Sequence, residues 1–249
     1  MSGHSHWSTI QRKKGVNDAK RAQIFTRLAK EIAVSAREGG SNIEFNPRLR
    51  LAVQKAKDGG MPKDNIDRAI KKVTSGDGAN FKEIWYEGYG PGGAAVLVEA
   101  LTDNLNRTSN NVRSTFSRQG GNLGGDGSVN WLFDRQGLVL IKGTEEQLED
   151  LSLAVIDMGA LDVGEPSDGL LEVYTEFEFM EQLRKDLVKM GAEVVSSEIS
   201  MQPKSTVDLD SKTAQLNLEL LDKLDDLDDV HHVYTNGNFP DELSTNKGA

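Results

Sequence analysis

The sequence predicts an α+β protein: an N-terminal three-helix bundle followed by two ferredoxin-like α+β domains, the second inserted in the first. Three observations lead there. Apolar residues recur at helical spacing in three short runs before residue 75, helix and strand patterns alternate from residue 81 onward, and one stretch of that alternation runs β-α-β-β-α-β, the ferredoxin-like order. Charge divides along the same line. Residues 1–75 hold 16 Lys+Arg against 7 Asp+Glu while the remainder holds 13 against 32, so a net charge of −10 conceals a basic module.

The first helix is expected to open at Asn17, a good N-cap, with Asp18 in the first turn where the helix dipole favours it. Ala22, Phe25, Leu28, Ala29, Ile32 and Ala36 then recur at helical spacing until Gly39-Gly40 stops the run. Lys20, Arg27, Lys30 and Arg37 fall roughly opposite that apolar face and are expected to point away from the bundle core. The second helix opens at Asn46-Pro47, a cap followed by proline, with Leu49, Ala52, Val53 and Ala56 inward and Arg48, Arg50, Lys55 and Lys57 outside. The third follows Pro62, with Ile66, Ala69, Ile70 and Val73 inward and Arg68, Lys71 and Lys72 on its flanks. Each is too short to persist alone in water, so the three must pack together.

Ahead of them runs a leader, Gly3 to Gly15, that places Trp7 beside Arg12, Lys13 and Lys14. An aromatic among cations suits stacking on unpaired bases while neutralising phosphates; a disordered, solvated terminus is the other reading its composition allows.

Residues 75–80, Ser-Gly-Asp-Gly-Ala-Asn, form a plausible linker. Beyond it, 81–89 and 94–101 read as strands, 108–118 as a helix and 128–133 as a strand. The self-contained series follows: strand 138–141, helix 145–158, strands 161–163 and 170–174, helix 178–190 and strand 193–200. After Pro203 come one more helix, 211–224, and one more strand, 230–234. The simplest arrangement lets this last pair complete the sheet begun at Phe81. The expected domains are therefore 1–78, a discontinuous 79–134 plus 205–240, an insert of 135–204, and a tail of 241–249.

Several motifs invite chemistry and are better explained structurally. Gly88, Gly90, Gly92 and Gly93 precede a strand rather than open a helix and lack a following Gly-Lys-Ser/Thr, so they read as a hairpin turn, not a nucleotide loop. Gly120 to Gly127 reads as a helix stop and wide turn. Asp103, Asn104, Asn106, Arg107 and Thr108 lie where turn and cap residues belong, although Arg107 with Arg113 and Arg118 offers a possible second basic patch. Asp225, Asp226, Asp228 and Asp229, followed by His231 and His232, lack the spacing of a calcium loop and read as a solvated acidic helix end. An acidic face of this kind also suggests repulsion of nucleic acid or transient screening of the basic bundle.

No His-Glu-x-x-His or Gly-x-Ser-x-Gly occurs and there is no cysteine, which excludes disulfides and thiolate chemistry. No catalytic residue, cofactor or resident metal site is expected. No apolar run approaches a membrane span and the start lacks a signal-peptide core, so a cytoplasmic protein without membrane partners is expected.

Further strings carry a resemblance: Gly3 to Gly40, Asn46-Pro47-Arg48-Leu49-Arg50, Met61-Pro62-Lys63-Asp64-Asn65-Ile66, Tyr86 to Gly93, Asp103 to Thr108, and Gly120-Gly121-Asn122-Leu123-Gly124. In this order they resemble the signatures of the YebC/PmpR family, which includes bacterial probable transcriptional regulators and the mitochondrial translational activator of cytochrome c oxidase. Leu105 departs from the pattern, since many members carry a basic residue there. The resemblance implies a three-domain, non-enzymatic nucleic-acid-binding regulator of gene expression. Its expected class is a DNA-binding transcriptional regulator, with a translation factor bound to the ribosome or its RNA as one alternative and a protein-interaction adaptor using the acidic domains as another. The residues expected to meet nucleic acid are Trp7, Arg12, Lys13, Lys14, Lys20, Arg21, Arg27, Lys30, Arg48, Arg50, Lys63, Arg68, Lys71 and Lys72, with protein partners on the acidic domains and no small-molecule substrate.

Overall fold

The computed structural model describes residues 18–74 and 81–240, with side chains from residue 22 onward in the first helix. The leader with Trp7, Arg12, Lys13 and Lys14, the Asn17 cap, the 75–80 linker and the 241–249 tail lie outside the described residues, as do the side chains of Lys20 and Arg21.

Three helices come first: α1 (Asp18–Gly39), α2 (Pro47–Asp58) and α3 (Lys63–Thr74). Their shared core is built by Leu28, Ile32, Leu49, Val53, Ile66 and Ala69, the inward positions of the sequence pattern. Asn46 fastens the first turn between them. Its side-chain oxygen accepts from the Leu49 amide at 3.0 Å, and its amide nitrogen donates to the carbonyls of Ser35 and Gly40 at 2.7 Å each. Gly40, at φ 87°, supplies the left-handed residue that lets the chain reverse there.

The middle layer begins with a hairpin of β1 (Lys82–Tyr89) and β2 (Ala95–Thr102), paired from Lys82↔Thr102 to Tyr89↔Ala95. Its glycine turn closes with Gly90 N–H donating to Ala94 O at 2.8 Å, and Gly92 and Gly93 take positive φ. Helix α4 (Leu105–Arg118) starts three residues before the expected Thr108 because Asn104 caps it, its side chain accepting from the Arg107 amide. A short β3 (Asn122–Leu123) pairs with β1. Much later the chain returns with α7 (Ser211–Asp225) and β9 (Val230–Thr235), giving an antiparallel sheet in the order β3-β1-β2-β9. Val96, Val98, Phe116, Leu218 and Leu221 form the core between this sheet and its helices.

Between those two passages lie β4 (Phe133–Lys142), α5 (Glu145–Asp157), β5 (Asp162–Val163), β6 (Leu170–Thr175), α6 (Met180–Lys189) and β7 (Glu193–Pro203). Their strands form a separate antiparallel sheet, β5-β6-β4-β7, the spatial order of a split β-α-β unit. Val139, Ile141, Leu148, Val173 and Leu187 fill a core of its own. Where the chain re-enters the middle layer, Lys204 N–H donates to Leu132 O at 2.8 Å and ties the two crossing strands together. A parallel pair, β8 (Val207–Asp208) and β10 (Gly237–Asn238), completes the fold.

One expected strand is absent. Residues 130–132 form a 3-10 turn, and the strand begins only at Phe133. The buried Glu87 carboxylate accepts from the amides of Gly127, Val129 and Asn130 at 2.7–2.8 Å, and those amides are lost to any ladder. Burial opposes ionisation of Glu87, but the three amides hold its carboxyl below the usual range.

A fragment comprising residues 133–204 has its own sheet, helices and core, so it is expected to melt cooperatively when expressed alone, followed by circular dichroism. A broad, non-cooperative melt would show that the neighbouring layers hold it together.

Candidate nucleic-acid interface

Helix α1 is buried on two sides. Val34 is 2% exposed and Ser35 is fully buried, although neither belongs to the bundle-facing pattern. The stripe Gln23, Arg27 and Lys30 follows helical spacing and meets the end of α7 and the residues after it. Gln23 donates to Asp226 O at 3.2 Å, Arg27 pairs with Asp225 at 2.9 Å and also reaches its carbonyl, and Lys30 reaches Asp228 O at 2.8 Å and Asp229 at 3.0 Å. Arg27 and Lys30 do point away from the bundle core. They point onto the middle layer, however, and not into solvent. The reading of Asp225 to Asp229 as a solvated helix end is corrected for the same reason, because Asp225 and Asp229 are partners of the basic helix.

Asp229 is the node of this seam. One carboxylate oxygen accepts from Lys30; the other accepts from Arg107 Nη2 at 2.7 Å and Thr108 Oγ1 at 2.8 Å. Burial opposes its ionisation, but Arg107, Lys30 and Thr108 together hold it below the ordinary carboxylate range. The Asp-Asn-x-Asn-Arg-Thr string thus acts within the fold: Asn104 caps α4, and Arg107, also paired with Asp103 at 2.8 Å, grips Asp229.

The other expected contacts separate into two groups. Arg48 is bound to Glu38 and Glu83, and the half-buried Arg50 donates to Glu44 O at 2.6 Å. Lys63, Arg68, Lys71 and Lys72 on α3 are exposed, and among the described residues no ion pair with a carboxylate holds Lys63, Arg68 or Lys71. Arg113 and Arg118 are exposed on α4, but they lie on different sides of the helix, separate from the carboxylate-bound Arg107.

Sequence reasoning missed a second polar network behind the seam. Lys55 Nζ lies 2.8 Å from Glu198 and 3.7 Å from Glu31, and it donates to His232 Nε2 at 3.0 Å. Lysine has only donors to offer, so the His232 proton sits on Nδ1 and is donated to Glu99 at 2.9 Å. His231 Nε2 lies 2.9 Å from Glu31. The two histidines therefore join layers, and among the described residues no group of three or more His, Asp or Glu is disposed to hold a metal ion. A signal was present in the sequence: Glu99 is a lone charge inside the apolar run of β2, where a carboxylate needs a buried partner.

Burial and the adjacent His232 push the His231 imidazole below its ordinary 6.5, against the pull of Glu31. Burial of Glu31 works against its charge but is outweighed by Lys55 and His231, which hold its carboxyl far below the usual 4.5. A group whose pKa is depressed by folding gives stability that is present above its unfolded value and lost as the pH falls. Stability should therefore decline below about pH 6.5 through His231 and further below about pH 4.5 through Glu31. In urea titrations at about pH 7.5 and about pH 5.5, His231→Gln is expected to shrink the loss seen in the wild type; an undiminished loss would assign it to other groups. Asp229→Ala strands a nearly buried Lys30 and is expected to cost about 3 kcal/mol. Asp225→Ala breaks a wetter pair and should cost about 1 kcal/mol or less, by the same titration.

The comparisons agree along the whole chain. A family model described as the TACO1/YebC protein N-terminal domain matches residues 5–76, and one described as the TACO1/YebC second and third domain matches residues 81–237. A "probable transcriptional regulatory protein" of Desulfosudis oleivorans is 49% identical over 98% of this chain and 99% of its own. One from Fusobacterium nucleatum is 46% identical over 98% of each. The crystal structure of a conserved hypothetical protein from Aquifex aeolicus superposes with a TM-score of 0.88 at 44% identity, covering 95% of this chain and 98% of that one. With the bundle, the two antiparallel sheets and the signature strings in the same order, this chain belongs to the TACO1/YebC family.

Proposed function

We propose that this protein is a non-enzymatic, nucleic-acid-binding regulator of gene expression, acting as a DNA-binding transcriptional regulator. Its contact surface is the outer ridge of α3 together with Lys20, Arg21 and the leader residues Trp7, Arg12, Lys13 and Lys14. One observation carries the reading: Lys63, Arg68 and Lys71 are exposed on one helix, whereas Arg27, Lys30, Arg48 and Lys55 are tied to carboxylates. Exposed lysine and arginine on one helix of an otherwise acidic molecule orient it toward a polyanion and keep its remaining surface away. Arg113 and Arg118 add exposed cations on the middle layer. The names of the relatives support a regulatory, non-catalytic role.

A second reading, an RNA target such as structured ribosomal RNA, is favoured by Phe45. This side chain is 83% exposed in the loop between α1 and α2, next in sequence to Glu44, whose carbonyl accepts from Arg50, and an exposed ring there can stack on an unpaired base. Anisotropy titrations with duplex DNA and with a hairpin RNA separate the two. Phe45→Ala is expected to weaken only the RNA complex, by about tenfold.

Each phosphate neutralised releases counterions, so the logarithm of affinity should fall steeply with the logarithm of salt. Replacing Lys63, Arg68 and Lys71 together by Gln is expected to flatten that slope by about 2 to 3. Replacing Arg27 and Lys30 should leave it unchanged, because their partners lie within the protein. Equal slopes for the wild type and the α3 variant would remove α3 as the contact surface.

A further inference from the structure

Where the bundle, the middle sheet and the β4–β7 ribbon meet, they leave a half-open cavity of about 530 Å³. Its size suits a small ligand. The walls carry Glu31, Glu83, Glu87, Glu99 and Glu198 against Arg48, Lys55 and Arg135, an excess of two negative charges. Two of those cations are already engaged, Arg48 with Glu83 and Lys55 with Glu198 at 2.8 Å. The third, Arg135, stacks over Phe177 with its guanidinium carbon 4.9 Å from the ring centre.

Among the described residues no lysine or arginine pairs directly with Glu99; Arg48 and Lys55 act on it only through space. Its hydrogen bond runs to His232 Nδ1 at 2.9 Å, in a partly enclosed space. Beside it, Trp85 and Tyr234 present nearly parallel rings, 23° apart with centres 6.3 Å apart. An excess of carboxylate beside two ring faces asks for a positively charged donor with an apolar stem. The same walls repel phosphates and carboxylic acids.

We propose that the three-way junction binds an organic cation, an ammonium or guanidinium group on an aliphatic stem, with Glu99 as counter-ion and Trp85 and Tyr234 against the stem. The cation is either a free polyamine or a lysine or arginine side chain of a basic partner protein. This site is separate from the α3 surface and does not depend on it.

Trp85 reports on the site when the other two tryptophans, Trp7 and Trp131, are replaced by Phe in the full chain. Spermidine is expected to give a saturable change in Trp85 fluorescence below about 1 mM, about tenfold weaker in Glu99→Gln and unaltered in Glu149→Gln, a change of surface charge on α5. Saturation by a short Lys- and Arg-bearing peptide but not by spermidine, with the same response to Glu99→Gln, would support the site and assign the cation to a partner protein. Should Glu99→Gln fail to melt cooperatively, Tyr234→Leu decides. It keeps apolar bulk on the sheet but removes one of the two ring faces, so it is expected to weaken the cation severalfold. The proposal is overturned if neither probe saturates, if AMP binds as tightly, or if the variant that decides binds like its parent.

Discussion

The arrangement of the three layers depends on the ion pairs that α1 makes with the residues ending and following α7. Lys30 and Asp229 retain only 13% and 9% of their side-chain exposure, Arg27 and Asp225 15% and 23%. Charges so placed gain little net stability from pairing, because desolvation consumes most of the Coulomb attraction, but each is costly to leave alone. The seam therefore discriminates among docking geometries more than it stabilises any one of them. Arg107 and Thr108, from the middle layer itself, hold the other oxygen of Asp229 and so fix the carboxylate that Lys30 must reach. The seam joining bundle and sheet is polar, as interfaces between domains of one chain commonly are.

A second buried carboxylate organises the opposite end of the middle sheet. Glu87 draws three amides of the loop at 127–130 onto one side chain and so sets where the chain leaves β3 and enters β4. The glycines around it are required by proximity. A Cβ at Gly88 would lie 2.7 Å from Asn122 O and 2.8 Å from Phe116, and one at Gly90 only 2.2 Å from Asn217 Oδ1. The signature Tyr-Glu-Gly-Tyr-Gly-Pro-Gly-Gly therefore encodes a carboxylate anchor and a tightly packed hairpin, and it needs no nucleotide to account for it.

What the sequence made legible was local. Asn46-Pro47 marked a helix start because cap and proline act within four residues, and the β-α-β-β-α-β order emerged because each element carries its own periodicity. The destinations of Arg27 and Lys30 were hidden, since a helical wheel identifies the side away from one core and says nothing about a second neighbour. A hint lay in Ile32-Ala-Val-Ser-Ala36, whose five small or apolar residues occupy more of the helix circumference than a single buried stripe. Glu87 was harder still. Its partners are backbone amides 40 to 43 residues away, and no side-chain pattern records them.

Charge is sorted in this protein by depth as well as by position along the chain. On α3, lysine and arginine stand in water, where they cost nothing to keep charged and act over about a Debye length, the range needed to attract a polyanion. At the junction, carboxylates outnumber cations inside a space that excludes much of the solvent, where the effective dielectric is lower and an unbalanced charge is felt more strongly. The seam keeps these two regimes apart by spending the cations of α1 on Asp225 and Asp229. Were Arg27 and Lys30 turned to solvent instead, the cationic face would widen, but the bundle would lose the contacts that hold α2 over the cavity, and with them the wall that carries Lys55.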